Sequence, residues 1–412
     1  MLQSHQELRA LTESRQARFY QEQQSKDDTR SPFQRDRDRV LYSTALRRLA
    51  NITQVVSADN GYSVHNRLTH SIKVAQVARR FAERFISQHD LTLINKIGLD
   101  PDVVETAALA HDLGHPPFGH VGEEVLNTCL QKKLNIDGYE GNAQSFRIVT
   151  RLELSRNHYH GLNLTRASLN AVLKYPWIRS AGTQTETKWG AYIEDRDMFE
   201  WVRAPLSQNE AYPQRTFEAE IMNLADDITY SVHDMDDFYR AGILPLNELL
   251  SNPDEREKFL DHCCVKLDLQ SQGLTSDDVY WAFIDLFGTY PKELETPFHG
   301  YLNEVGNQVQ FVSRLIGKFS RTFSLEIKGG LTSLNSDVCT RLSINILKQM
   351  MHYYVYDHPS LAAQQHGERR LLKELFDIIY DATGSQKDIN ILAPRHKSLV
   401  EHELNIRSLQ TM

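Results

Sequence analysis

Four side chains of the metal-binding type stand at three separate places in the chain. They are His70, the adjacent His111 and Asp112, and Asp226, the first acid of an Asp-Asp pair. A single helical histidine is more often a core or surface residue, but His111-Asp112 falls in an apolar helical stretch. A buried imidazole and a buried carboxylate each need a partner there, and one divalent cation satisfies both. The pattern therefore predicts a metal site formed by these four side chains.

The mixture of nitrogen and oxygen donors indicates which cations would fit. Two imidazoles and two carboxylates favour an octahedral first-row ion such as Mn²⁺ or Fe²⁺, with Mg²⁺ and Zn²⁺ as alternatives, and Mn²⁺ is the ion we expect first. Cysteine is absent from the cluster, which argues against a structural zinc site. Four protein ligands leave two positions for water and a substrate oxygen. Such an ion polarises a phosphoryl oxygen and activates an attacking water.

Three predicted helices must position these ligands. Residues 66–85 show two adjoining apolar stripes, one of which includes His70. The next helix runs from 100 to 114, with an aspartate at its N-cap, a proline in its first turn and a glycine to close it. His111 shares the apolar face of that helix and so points inward. A third helix spans 217–240 and carries three polar residues on one stripe, at i, i+4 and i+8: Asp226, Tyr230 and Asp234.

The rest of the pattern is also mainly helical, which predicts an all-α protein with one or two small β-hairpins. One hairpin is predicted at residues 52–65, with Asn60-Gly61 at its turn. A second is predicted at residues 321–335. We expect three parts: a polar N-terminal arm (1–30), a multi-helix core (31–245) and a mainly helical C-terminal lobe packed on the core (246–412).

Composition excludes several classes of protein. With 46 Lys+Arg against 54 Asp+Glu, the formal net charge is −8, which argues against a dedicated nucleic-acid binder. A local basic pocket for a small phosphorylated ligand remains compatible with this balance. No apolar run is long enough to span a membrane, and the N-terminus has no apolar signal region. Four cysteines form no CxxC pair and are expected to be reduced, buried thiols of a cytoplasmic protein: Cys129, Cys263, Cys264 and Cys339.

Six segments occur in the order found in the deoxyguanosine triphosphate triphosphohydrolases of the HD superfamily, which the chain therefore resembles. They are NRLTHS, HDLGHPPFGH, YEGNAQ, GLNLT, LKYPW and LADDITYS. The resemblance covers residues 31–240 well and continues more loosely to the end. It implies an HD-domain core and hydrolysis of a deoxynucleoside triphosphate, dGTP by default, to the deoxynucleoside and intact triphosphate. Water would attack the α-phosphorus, and the nucleoside 5′-oxygen would leave.

The resemblance also assigns roles around the metal, whose implied ligands are the same four residues. His120 matches the family's catalytic histidine, and Glu123 matches a glutamate that pairs with it. A histidine held by a carboxylate can transfer protons near neutral pH. His115 is close enough in sequence to contact a phosphate and is grouped with these catalytic residues. Arg67 would clamp phosphate oxygens with its planar guanidinium.

Further matches concern the sugar of the substrate. Gln54, Tyr230 and Asp234 match positions that surround the deoxyribose. An amide and a carboxylate on the 3′-hydroxyl, with an aromatic ring against C2′, would exclude a ribose 2′-hydroxyl. Asn142, in the GNAQ segment, is assigned to substrate binding. The resemblance further implies a homo-oligomer, as a hexamer, and a nucleotide or single-stranded DNA effector.

Simpler interpretations of three of these residues stay open. Arg67 could pair with a nearby acid, Glu123 could be a first-turn acid favoured by the helix dipole, and Tyr230 could be a core tyrosine. Two other functions also stay open. One is another HD phosphohydrolase, namely a 5′-deoxynucleotidase or a cyclic-nucleotide phosphodiesterase. The other is a nucleotide-binding regulator without turnover.

Overall fold

The computed structural model describes residues 2–52, 65–134, 137–154, 160–179, 187–206, 214–328, 331–356, 358–384 and 388–401. Within these ranges the protein is built almost entirely of helices. The α-helices are α1 Leu2–Gln16, α2 Pro32–Leu41, α3 Thr44–Arg48, α4 Arg67–Gln88, α5 Leu91–Ile97, α6 Pro101–Ala110, α7 Gly119–Leu134, α8 Gly141–Arg147, α9 Arg166–Val172, α10 Arg196–Arg203, α11 Phe217–Arg240, α12 Leu246–Ser251, α13 Pro253–Lys266, α14 Ser276–Phe287, α15 Leu302–Thr322, α16 Val338–Met350 and α17 Pro359–Thr383. Shorter 3-10 or π segments occupy Leu49–Asn51, Ile148–Leu152, Ile193–Asp195, Ala204–Leu206, Lys292–Glu295, Met351–Tyr356 and Ile389–Ile391.

One small antiparallel sheet accompanies the helices in the described part of the chain. Its strands are β1 Ser324–Lys328 and β2 Leu331–Asn335, with Ser324 opposite Asn335. These strands fall within the second predicted hairpin, and the predicted all-α class is confirmed. The first predicted hairpin, at 52–65, lies almost wholly outside the described residues.

Helices α4, α6 and α11 pack against one another and form the framework of the candidate site. Buried apolar side chains of the three helices belong to one core cluster: Val74, Ala78 and Phe81 of α4, Val104, Ala107 and Ala108 of α6, and Ile221, Ala225 and Ile228 of α11. Full burial of a valine, isoleucine or phenylalanine stabilises a fold by about 1.5–3 kcal/mol. Helix α11 has the predicted bounds, while α4 continues three residues further than predicted, to Gln88.

The predicted end of α6 at Gly114 is wrong, because the helix ends at Ala110. A hydroxyl from another helix satisfies the backbone where α6 stops. The Ser145 Oγ donates to the His111 carbonyl oxygen at 2.8 Å and accepts from the Gly114 N–H at 2.8 Å. Two prolines follow at 116 and 117, and the residue before a proline is disfavoured in the α conformation.

The His111-Asp112 pair stands directly after α6. His111 is the C-cap residue and keeps a helical backbone, with φ −58° and ψ −35°, and Asp112 lies in the turn that follows. Gly114 serves close packing rather than a helix cap, since a Cβ there would lie 2.0 Å from the Gly141 carbonyl oxygen.

Ion pairs attach α1 to α11 and α17 to α7. At the N-terminal end, Arg15 pairs with Glu218 at 2.5 Å. At the C-terminal end, α17 packs along α7, where Lys133 Nζ lies 2.8 Å from Asp377 Oδ1. The division into three parts at the predicted boundaries stays a prediction.

Two further expectations concern cysteines and membranes. All four cysteines are free thiols, but only Cys129 and Cys263 are buried; Cys264 and Cys339 are half-buried, so the expectation of burial was wrong for these two. In the described ranges, no helix combines the length and apolar character needed to cross a bilayer.

Candidate active site

The four predicted metal ligands meet between α4, α6 and α11. One ligand atom from each of His70, His111 and Asp112 lies within 4.8 Å of the other two. Asp226 Oδ1 lies 3.0 Å from His70 Nε2 and 3.4 Å from His111 Nε2. The two histidines and Asp112 are buried, and Asp226 is half-buried. The structure thus brings together in one cluster four residues that are up to 156 positions apart.

In each carboxylate of the cluster, one oxygen faces the histidines and the other accepts a hydrogen bond from a positively charged side chain. Asp112 Oδ1 lies 3.4 Å from His111 Nε2, while Oδ2 accepts from Arg67 at 2.8 Å. Asp226 Oδ1 faces the histidines, while Oδ2 accepts from Lys174 Nζ at 2.8 Å. Partners of this kind orient metal ligands in proteins. Arg67 therefore does pair with a nearby acid, and that acid is itself a predicted ligand.

The environment of His111 tests whether a cation fits. Its Nδ1 lies 2.7 Å from the Ala108 carbonyl oxygen and donates to it, which leaves Nε2 as the ring nitrogen that faces the cluster. That Nε2 makes no well-aligned hydrogen bond within the described residues. Burial acts to lower the pKa of His111, but the carboxylates of Asp112 and Asp226 outweigh it and raise the pKa to about 9. The cluster attracts positive charge at this point, so a divalent cation suits the donors.

A second group of predicted residues stands at the start of α7. His120 Nδ1 lies 3.3 Å from Glu123 Oε2. The His120 side chain is 73% exposed, so it can reach a ligand from solvent. Glu123 is buried, and its Oε1 accepts from Lys188 Nζ at 2.9 Å and from the Gly141 N–H at 3.0 Å. Burial alone would raise the pKa of Glu123, but His120 and Lys188 hold it below its ordinary value.

His115 lies between this pair and the metal cluster. Its ring centroid is 5.5 Å from that of His120, and its Nδ1 is 3.1 Å from Asp112 Oδ1. Burial, assisted by the nearby Arg67 charge, lowers the pKa of His115 to about 4. The intervening Phe118 has φ 65°, a strained conformation for a bulky residue. Such strain is concentrated at functional sites.

A cavity of about 570 Å³ opens on this cluster. Of the predicted substrate residues, Arg67, Asn142 and Tyr230 line it. Tyr230 is half-buried against the cavity, so the structure does not favour a core tyrosine. Asp234 is buried outside the cavity lining, and its Oδ2 has no hydrogen-bond partner within the described residues. Gln54 lies outside the described residues.

Sequence reasoning missed several residues of the cavity wall. Lys174 and Tyr175 belong to the LKYPW segment, which marked the resemblance but received no role. Lys188 and Lys348 also line the cavity, and Lys348 Nζ lies 2.8 Å from Asp227 Oδ1. Four residues from the C-terminal part complete the wall: His352, Tyr356, Gln365 and Glu368. Their distance in sequence from the HD segment left no local signal of this role.

Comparisons with known proteins agree with this architecture. The HD domain family model matches residues 67–231, which include all four candidate ligands. The phosphohydrolase-associated domain model matches residues 337–402, which include the four C-terminal residues of the cavity wall. The fold and the cluster thus define a protein of the HD-domain class.

Curated relatives narrow the class further. A deoxyguanosinetriphosphate triphosphohydrolase-like protein of Corynebacterium glutamicum (strain R) is 34% identical over 373 residues, which cover 87% of this chain and 82% of that protein. One from Bifidobacterium longum is 33% identical over 374 residues, which cover 86% of this chain and 73% of that protein. One from Streptomyces coelicolor is 46% identical over 253 residues, which cover 59% of this chain and 55% of that protein. The chain belongs to the deoxyguanosinetriphosphate triphosphohydrolase-like family, and the resemblance found in the sequence is confirmed. The alignments to the Streptomyces coelicolor protein and to one from Corynebacterium efficiens span about half of those relatives, 55% and 50%.

Proposed function

We propose that this chain is a metal-dependent phosphohydrolase that converts a deoxynucleoside triphosphate to the deoxynucleoside and triphosphate. The observation that carries the proposal is the metal-type cluster at the base of a cavity with several cationic side chains. The names of the relatives favour dGTP as the default substrate. Hydrolysis of a nucleotide phosphate ester suits both the donor set and the charge of the cavity.

His70, His111, Asp112 and Asp226 would hold the cation, with Mn²⁺ favoured. A bound divalent ion at this place supplies Lewis-acid polarisation of a phosphoryl oxygen and an acidified water. The protein's own contribution is to fix the ligands. The hydrogen bond from His111 Nδ1 to the Ala108 carbonyl oxygen and the Arg67 and Lys174 contacts to the carboxylates support that role.

Cationic side chains around the cavity suit a triphosphate. Arg67 Nε is buried and has no hydrogen-bond partner within the described residues, so this donor is available to a ligand. Lys174, Lys188 and Lys348 each have one or more carboxylate partners and also line the cavity. Their charges would stabilise phosphate oxygens and orient the α-phosphorus. Electrostatic stabilisation of this kind is a dominant contribution to phosphoryl-transfer catalysis.

Proton transfer is proposed for His120. When Nδ1 donates to Glu123 Oε2, the Nε2 atom is left to exchange a proton with the substrate, at the leaving 5′-oxygen. Glu123, held ionised by His120 and Lys188, orients the imidazole through its Nδ1 atom. His115 is proposed as a phosphate contact, since its buried ring nitrogens make no well-aligned hydrogen bonds within the described residues.

Sugar selection is proposed for Gln54, Tyr230 and Asp234, with Asn142 as a further substrate contact. Tyr230 lines the cavity, and Asp234 follows it by one turn of α11. Burial, with the nearby Asp237 charge, raises the pKa of Asp234 well above its ordinary value. A protonated carboxyl can donate to a hydroxyl as well as accept from it. These properties support a contact with the 3′-hydroxyl.

Assembly into a homo-oligomer, a hexamer by resemblance, is part of the proposal, as are a nucleotide or single-stranded DNA effector and a cytoplasmic location. One surface feature supports self-association. Helix α17 exposes an apolar stripe whose side chains are 44–54% exposed: Leu371, Leu375, Ile378 and Ile379. Contiguous apolar surface of this kind is typical of protein–protein interfaces.

Product identification tests the proposal. The protein is incubated with four deoxynucleoside and four ribonucleoside triphosphates, each with Mn²⁺, Mg²⁺, Fe²⁺ or Zn²⁺. Intact triphosphate from the deoxy series alone is the expected result. Release of orthophosphate would instead indicate a nucleotidase, and binding without turnover would indicate a regulator. An Asp226→Asn variant should lose Mn²⁺ binding, while Asp227→Asn, at the adjacent cavity-lining acid, should keep it.

A further inference from the structure

A second group of metal-ligand atoms lies beside the first. One ligand atom from each of His115, His120 and Glu123 lies within 4.8 Å of the other two. None of these residues belongs to the His70, His111, Asp112 and Asp226 cluster. Two imidazoles and one glutamate form a donor set typical of zinc sites that keep an open position.

The glutamate of this second group is oriented as the first cluster's carboxylates are. Lys188 Nζ and the Gly141 N–H hold Glu123 Oε1 at 2.9 and 3.0 Å, which leaves Oε2 facing His120. The charge of Lys188 is shared with Glu140, whose Oε1 lies 3.2 Å away. The Lys188 ammonium group thus orients Glu123 through Oε1 and leaves Oε2, which faces His120, free to bind a metal ion.

The histidines complete the arrangement. His115 is buried, and neither of its ring nitrogens makes a well-aligned hydrogen bond within the described residues. His120 is mainly exposed, so its ring can adjust to a ligand arriving from solvent. Asp112 Oδ1 lies 3.1 Å from His115 Nδ1 and 3.4 Å from His111 Nε2. One carboxylate oxygen of Asp112 therefore lies between the two groups of ligands.

We propose that His115, His120 and Glu123 form a second divalent-cation site, selective for Zn²⁺, next to the first. Binding there does not depend on turnover. Its consequence for rate rests on the proposed function, in which His120 and Glu123 transfer a proton. A cation on these two side chains removes them from proton transfer, so excess Zn²⁺ inhibits an enzyme already loaded with Mn²⁺ at the first site.

Zinc stoichiometry tests the proposal. The native protein, His120→Asn and Glu123→Gln are dialysed against Zn²⁺, and bound zinc is measured per chain. Each variant should bind one Zn²⁺ fewer than the native protein. The matched control is His299→Asn, because His299 Nδ1 lies 3.3 Å from Glu304 Oε1, a His–Glu pair of the same spacing. Within the described residues no third ligand joins that pair, so this variant should bind the native amount.

A zinc-edge anomalous difference map provides the second measurement. Two peaks are expected, one at each group of ligands. Zinc retention in both His120→Asn and Glu123→Gln, or a single peak at His70, His111 and Asp226, would overturn the second site. The first site would stand in that case if His111→Ala still lost one Zn²⁺. If His120→Asn, Glu123→Gln and His111→Ala all bind the native amount of zinc, both proposed sites are wrong.

Discussion

Lys174 Nζ lies 2.8 Å from Asp226 Oδ2, while Oδ1 of the same carboxylate faces His70 at 3.0 Å. The lysine thus fixes which oxygen of Asp226 turns to the histidines. Burial acts to lower the pKa of Lys174, but Asp226 outweighs it, so the lysine stays charged. Lys174, which lines the cavity, therefore has two proposed roles: it orients the metal ligand Asp226 and it binds substrate phosphate.

The first prediction follows from this contact. Lys174→Gln should weaken Mn²⁺ binding about 10- to 100-fold, the usual effect of removing a partner of a metal ligand. Calorimetric titration with Mn²⁺ measures it. Lys348→Gln is the control, because Lys348 makes a contact of the same 2.8 Å length to Asp227. Equal losses of affinity in the two variants would mean that general charge, and not ligand orientation, is responsible.

The second prediction separates metal binding from proton transfer. Absent added Zn²⁺, His120→Asn should keep Mn²⁺ at the first site but lower kcat by about 10²- to 10⁴-fold, the usual contribution of a general acid. Glu123→Gln should do the same, because it removes the negative charge beside His120 Nδ1. Steady-state kinetics with saturating Mn²⁺ measures both. A native kcat for His120→Asn would rule out the proposed proton donor.

The third prediction concerns acid stability. Burial, with the nearby Lys73 and His65, lowers the pKa of His233 from 6.5 to about 2. His233 is therefore neutral in the folded protein, whereas the unfolded chain takes up its proton below pH 6.5. Stability is lost as the pH falls from about 6.5 towards 2, by about 1.4 kcal/mol per pH unit from this residue.

His233→Asn should reduce that loss, since asparagine can still accept from Lys73 but does not titrate. Urea unfolding between pH 7 and pH 5 measures the slope of stability against pH. An unchanged slope in His233→Asn would contradict the lowered pKa of His233 as a cause of the acid sensitivity.

The fourth prediction concerns the framework beneath the site. Phe81 of α4 is 1% exposed, and Phe81→Ala should lower the free energy of unfolding by about 3–5 kcal/mol. Ile72, on the same helix but 48% exposed, is the control; Ile72→Ala should change it by no more than about 0.5 kcal/mol. Denaturant unfolding measures both. If Ile72→Ala lowers the free energy of unfolding as much as Phe81→Ala does, Ile72 is buried in solution, for example in an interface between two copies of the chain.

The main elements of this fold could be predicted from periodicity and capping residues. The bounds of α11 and the start of α6 at Pro101 are of this kind, because an amphipathic stripe and a capped proline are local signals. The end of α6 at Ala110 was not predicted, although the prolines at 116 and 117 are a local signal near it. The hydrogen bonds that Ser145 makes there come from a residue 31 positions from Gly114 and have no local signal.

The same distinction holds for the candidate site. His70, His111, Asp112 and Asp226 could be proposed because their types and helical spacing point to one chemistry. The orientation of their carboxylates depends on Lys174 and Arg67, and only the packed structure shows which oxygen each cation holds. The contribution of His352, Tyr356, Gln365 and Glu368 to the cavity likewise required the packed structure.

The most direct test of the account is made on His111. Its Nε2 lies 3.4 Å from oxygens of both Asp112 and Asp226, so it is central to the cluster. Mn²⁺ binding and deoxynucleoside triphosphate turnover are measured side by side for the native protein, His111→Ala and the exposed-site control His299→Ala. We predict that His111→Ala loses both properties together while His299→Ala keeps both. Full activity of His111→Ala, or turnover without bound metal, would contradict the proposal that these four side chains hold the catalytic cation.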